Sequence, residues 1–96
     1  MRLILYSKPG CHLCEGLQEK LEQISSLDLQ LEIRDITSRD DWFQAYQYEI
    51  PVLFLAGSTP DAAPTPIPRP SPRTSVAQLE QMLQKYLTEA AKNETK

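Results

Sequence analysis

The chain has 96 residues, 41% of them hydrophobic and 24% charged, with a formal net charge of -3 at pH 7. That length accommodates one hydrophobic core, so one domain is expected, and the charge balance leaves no basic footprint for nucleic acid or an anionic membrane surface. No apolar run approaches the ~18 residues that span a bilayer, and Met1-Arg2-Leu3-Ile4-Leu5-Tyr6 turns polar too soon for a signal peptide, so a soluble, cytoplasmic domain is expected.

Leu3-Ile4-Leu5-Tyr6 is a short, almost continuous apolar run, the pattern of a strand buried on both faces. Ser7-Lys8-Pro9-Gly10 breaks it with turn chemistry. From about His12 to Ser26, Leu13, Leu17, Leu21 and Ile24 recur on one helical face. Gly16 weakens that helix by roughly 1 kcal/mol relative to alanine, so close packing at Gly16 is expected. Leu29, Leu31 and Ile33 alternate with Gln30, Glu32 and Arg34, which predicts a half-buried edge strand. Thr37 or Ser38 is expected to cap a short helix whose apolar side carries Trp42, Phe43 and Tyr46 as core residues. Ile50-Pro51-Val52-Leu53-Phe54-Leu55 reads as a strand opened by a proline, where the missing N–H does least harm.

From Gly57 to Arg73 the prolines fall at 60, 64, 66, 68, 70 and 72. Proline at alternate positions is tolerated in an edge strand whose N–H groups face solvent; a polyproline-II loop is the alternative for Thr65-Pro66-Ile67-Pro68-Arg69. Ser75 with Gln78 forms a capping box that opens a helix with Val76, Leu79, Met82, Leu83, Tyr86 and Leu87 on one face. The domain is expected over residues 1–90, with 91–96 a polar, frayed tail. The element order is βαβαβ(β)α.

Both cysteines lie together as Cys11-His12-Leu13-Cys14. A bridge between them closes too short a loop to staple the chain. Structural zinc needs about two more Cys or His ligands, and His12 is the only histidine, so no metal site is expected. Redox chemistry remains. At the start of a helix that follows a strand, Cys11 sits where unpaired N–H groups and the helix dipole favour a thiolate. Cys14, one turn on, is placed to attack a mixed disulfide on Cys11.

Tyr6-Ser7-Lys8-Pro9-Gly10-Cys11-His12-Leu13-Cys14 resembles the active-site signature of glutaredoxins, typically Tyr-Ser/Thr-Lys-x-x-Cys-Pro-Tyr-Cys. Ile50-Pro51 ahead of a strand resembles the cis-proline element of the thioredoxin fold, and the likeness in element order runs from about Arg2 to Leu87. The resemblance implies a thioredoxin-like, glutaredoxin-type α/β sandwich, βαβαββα, with a four-stranded mixed sheet and an irregular, proline-rich fourth strand. It implies a thiol–disulfide oxidoreductase acting on protein or glutathione mixed disulfides, with Cys11 as nucleophile and Cys14 as resolving thiol.

Two departures accompany the likeness. His12-Leu13 replaces Pro-Tyr, and Pro72-Arg73-Thr74-Ser75 replaces the Gly-Gly-x-Asp that helps hold the γ-glutamyl end of glutathione. With no acid between Asp61 and Glu80 to pair with an ammonium, protein disulfides are expected to be preferred over glutathione. Substrate contacts are expected from Lys8, from the free backbone of Ile50, from a cis Pro51 and from Arg73 beside the last helix N-terminus, with His12 tuning the thiolate or standing exposed in the first turn. No bound cofactor is implied. Glutathione or a thioredoxin-reductase-type donor would supply electrons to a monomer. A thioredoxin-fold binding module without turnover and a glutathione-dependent iron–sulfur carrier are the alternatives.

Overall fold

The computed structural model describes residues 2–25, 27–57 and 63–94 and opens with strand β1, Arg2–Ser7. β1 pairs in parallel with β2, Gln30–Asp35, from Arg2 opposite Gln30 to Ser7 opposite Asp35. On its other side it pairs antiparallel with β3, Val52–Leu55, which in turn carries the short antiparallel β4, Thr65–Ile67. The strand order is therefore β2-β1-β3-β4, with β1 and β3 inside and both edges as expected.

The apolar run of β1 follows from that position, because side chains alternate between two covered faces. Leu3 and Leu5 point into one core layer with Leu17, Leu21 and Ile24 at helix α1, His12–Glu22, and Leu79 and Leu83 of helix α3, Val76–Glu94. Ile4 and Tyr6 face the other layer, where Ile36 is fully buried and Trp42, Phe43 and Tyr46 of helix α2, Asp40–Tyr46, pack against them. Helices on both faces of a four-stranded mixed sheet make this the thioredoxin-like arrangement that the sequence implies.

The capping box of α3 forms in both directions. The Ser75 N–H donates to Gln78 Oε1 (3.0 Å) and the Gln78 N–H to Ser75 Oγ (3.1 Å). Capping of α2 differs from expectation. Asp35, at the end of β2, accepts from both the N–H and the hydroxyl of Thr37 and caps a single 3-10 turn, Ile36–Ser38. Those bonds, the hydroxyl first, hold the Asp35 carboxyl below its usual range. Thr37 and Ser38 are thereby spent, and Arg39 precedes α2 without any side-chain cap.

Other expectations also shift. In α1 the buried face is Cys14, Leu17 and Leu21, while Leu13 is 55% exposed; the pair of cysteines rotates the inward face by one residue. Gly16 is not demanded by packing, since a Cβ there would meet nothing within 4 Å. α1 ends at Glu22, where Gln23 and Ile24 turn back onto Lys20 and Leu21 in a tightened last turn, and Ile24 still reaches the core. In β2, Leu31 packs on the core but Ile33 is 40% exposed, because it borders an open depression beside the Ser7–Pro9 turn and Cys14. The fourth strand is only three residues long, with Pro66 opposite Phe54, and the chain is irregular from Pro68 to Ser75. The backbone of 91–94, expected as tail, continues α3. Met1, Ser26, residues 58–62 with Pro60 and Asp61, the side chains of Leu87 and of 89–94, Thr95 and Lys96 lie outside what is described.

Tyr6 anchors the far end of β1. Its ring meets Trp42 edge-on at 5.5 Å and Tyr46 at 4.5 Å, and its hydroxyl accepts from Arg34 Nη1 at 2.9 Å. Arg34 lies over the Trp42 ring (5.4 Å), with Arg39 also 5.0 Å from it. Arg34 also pairs with Glu32; hydrogen bonds from Arg34 and then Arg2 hold that carboxyl below its usual range. A lowered carboxyl favours the folded state at neutral pH, and its contribution fades as pH falls through the folded-state value. Tyr6 is thus fixed one residue before the turn that carries the cysteines.

Candidate active site

Ser7 ends β1, and the turn that follows is closed by the Cys11 N–H donating to the Lys8 carbonyl (3.2 Å). Gly10 takes φ +81°, a left-handed conformation in which a side chain would be strained. The chain is thereby delivered to Cys11 in extended geometry at the N-cap of α1. The Cys11 carbonyl accepts the first helical bond, from Glu15 (3.0 Å), and its Sγ accepts the Cys14 N–H (3.2 Å). A cysteine sulfur here takes the part that a serine or aspartate oxygen usually has at a helix start.

Cys11 and Cys14 are joined in a disulfide, with Cα atoms 5.3 Å apart. Their exposure differs sharply: Cys14 is 2% exposed, whereas Cys11 is half-buried. An attacking or attacked sulfur needs an approach from solvent, and Cys11 is the more exposed residue of the pair.

The Ile50–Pro51 peptide bond is cis, as the family likeness implies. Pro51 is buried and forms part of the wall of a groove that also holds His12 and Leu13, the two residues following Cys11. The opposite wall is the proline-rich segment, with Pro70 and Pro72, and the floor is Leu17 and Leu79. Lys20 Nζ donates to the Pro72 carbonyl (2.6 Å), tying α1 to that wall. The groove encloses about 330 Å³.

The remaining candidates fall in different places. Lys8 is exposed and borders the separate depression that reaches Cys14 and Ile33. The His12 side chain is 92% exposed, with Nδ1 3.3 Å from Glu15 Oε2. The Ile50 backbone is not free to pair with a substrate strand: its N–H donates to Tyr46 (3.1 Å) and its carbonyl accepts from Arg69 (3.4 Å). The cause is local, since the end of α2 folds under Ile50 and Arg69 reaches across from beyond β4. Arg73 is exposed and is not among the residues lining the groove. Arg69 stands there instead, its Nη1 also donating to the Glu49 carbonyl at 3.1 Å. The sequence alone assigns Arg69 no role; its place in the groove follows from the return of the chain beyond β4 to the Glu49 and Ile50 carbonyls.

A family model described as Glutaredoxin-like domain (DUF836) matches residues 2–84. No curated protein and no solved structure matches the chain. The matched span takes in the cysteine pair, the cis proline, the proline-rich wall and most of the α3 face that floors the groove, so the chain belongs to the glutaredoxin-like domain (DUF836) family.

Proposed function

We propose that the protein is a thiol–disulfide oxidoreductase that reduces protein disulfides, with Cys11 as the attacking thiol and Cys14 as the resolving one. The observation that carries this reading is the unequal pair: a half-buried Cys11 at the N-cap of α1, its sulfur hydrogen-bonded by the Cys14 N–H, against a Cys14 that is 2% exposed. After reduction, that N–H and the helix dipole favour the Cys11 thiolate over the thiol.

The thiolate attacks one sulfur of a substrate disulfide. A Cys11–substrate bond forms, the substrate S–S bond breaks, and the other half leaves as a thiolate that takes a proton. Cys14 loses its proton and attacks Cys11 Sγ, restoring the Cys11–Cys14 disulfide and releasing the second substrate thiol. Two electrons and two protons pass to the substrate. Two glutathione molecules, or one dithiol of a thioredoxin-reductase-type donor, return the protein to its reduced form. The cytoplasm, where thiols are kept reduced, suits that cycle. Lys8 lines the depression beside Cys14 together with Glu15 and Asp35, two carboxylates that offset its positive charge there.

The test is a single turnover. Reduced protein, freed of reductant and mixed with bis(2-hydroxyethyl) disulfide, is expected to lose the mass of two protons as free mercaptoethanol appears in a 2:1 ratio. Unchanged protein mass after prolonged mixing would contradict the assignment.

A further inference from the structure

The groove lined by His12 and Leu13, the two residues after Cys11, combines three features. Its floor is apolar, formed by Leu17 and Leu79, which are 8% and 0% exposed. A large hydrophobic side chain, Leu13, stands 55% exposed on it. Its charged lining residues are Lys20 and Arg69, with His12 beside them, and among the described residues no carboxylate lines it. Glu15 Oε2 lies 3.3 Å from His12 Nδ1.

Lys20 and Arg69 are held by main-chain carbonyls, of Pro72 and of Glu49 and Ile50, and neither is in an ion pair among the described residues. On a chain with a net charge of -3, this is a locally cationic, apolar slot. A volume of about 330 Å³ is at the lower end for ligand pockets, enough for one bulky side chain with a carboxylate beside it. His12 and Leu13 follow Cys11 directly in the chain, so the slot's lining begins at the residue next to the reactive cysteine, whose Cα lies about 3.8 Å from that of His12.

We propose that the slot selects the substrate: a protein disulfide in which a large aliphatic or aromatic residue lies one or two positions from the attacked half-cystine, with an aspartate or glutamate next to it. The apolar side chain covers Leu13 and fills the space above Leu17 and Leu79, between Pro51 and Pro72. The carboxylate takes the Arg69 guanidinium from the Glu49 and Ile50 carbonyls, exchanging neutral acceptors for a charged one. This rests on the oxidoreductase reading for its chemistry; the docking itself does not need turnover.

The experiment uses four short peptides, each a mixed disulfide with 2-mercaptoethanol on one cysteine, bearing Leu-Asp, Leu-Lys, Gly-Asp or Gly-Lys beside it. Single-turnover rates with the reduced protein are expected to fall at least about tenfold from Leu-Asp to Gly-Lys, since burial of one leucine alone is worth that much. The Asp-over-Lys ratio should shrink with added salt and in Arg69→Gln, and return in Arg69→Lys. The Leu-over-Gly ratio should shrink in Leu13→Asn. Equal rates for all four peptides, with exchange running, would overturn the proposal. A parallel titration of the oxidised protein with the Leu-Asp peptide carrying serine for cysteine separates the two readings. Preferential binding without exchange in any arm would sink the oxidoreductase reading while supporting the slot, and absence of both would overturn the slot as well.

Discussion

Cys11→Ser is expected to abolish disulfide exchange, whereas Cys14→Ser is expected to halt it midway with substrate covalently held on Cys11. The asymmetry follows from geometry. A serine hydroxyl at Cys11 is not ionised near neutral pH and leaves Cys14, which is 2% exposed, as the remaining thiol. Exchange should drop to the uncatalysed rate. In Cys14→Ser the first step survives, because the helix N-terminus and the residue-14 N–H still face the Cys11 sulfur. The mixed disulfide then persists until an added thiol such as glutathione releases it. Mass spectrometry under non-reducing conditions reads both results. A stable adduct on Cys14 in the Cys11→Ser protein would reverse the roles.

Leu79→Ala is expected to cost about 2–5 kcal/mol, lowering the melting temperature by at least ~10 °C in a domain of this size. Leu79 is fully buried, it packs against the β1 and β3 leucines, and it also floors the groove. Truncation removes contacts that the surrounding sheet and α1 cannot move in to replace. Leu13→Ala, in the same groove but 55% exposed, should change stability by less than about 0.5 kcal/mol. Urea denaturation of both variants measures the contrast. Equal, small losses would mean that Leu79 is not part of the core.

The fold was legible wherever a residue pattern had one physical solution. Leu3 to Tyr6 could be apolar throughout only in an inner strand, and β1 is one. Ser75 and Gln78 had complementary side chains at capping distance and used them. Helix periodicity located α1 but erred at its start, because Cys14 is small and soft enough to take the inward position that Leu13 was expected to fill. Thr37 and Ser38 misled because the preceding Asp35 competes for the same N–H and makes a separate turn.

The site divides similarly. Cys11, Cys14 and Pro51 were set by local sequence: a turn after a strand, a helix start, a proline before a strand. Arg69 and the engagement of the Ile50 backbone depended on where a proline-rich chain returns across the sheet edge, and that is a long-range outcome no local pattern encodes. Gly16 carried a real helix-propensity signal, but propensity alone does not reveal whether a neighbour sits above the glycine, and none does.

The measurement that bears most directly on the assignment is the rate of alkylation of each cysteine in the reduced protein as a function of pH, followed by peptide mass spectrometry. Cys11 is predicted to be modified far faster than Cys14, with a midpoint below the ordinary thiol value of about 8.5, because the helix N-terminus favours its thiolate. Faster modification of Cys14, or a Cys11 midpoint at or above that of a free thiol, would contradict the account.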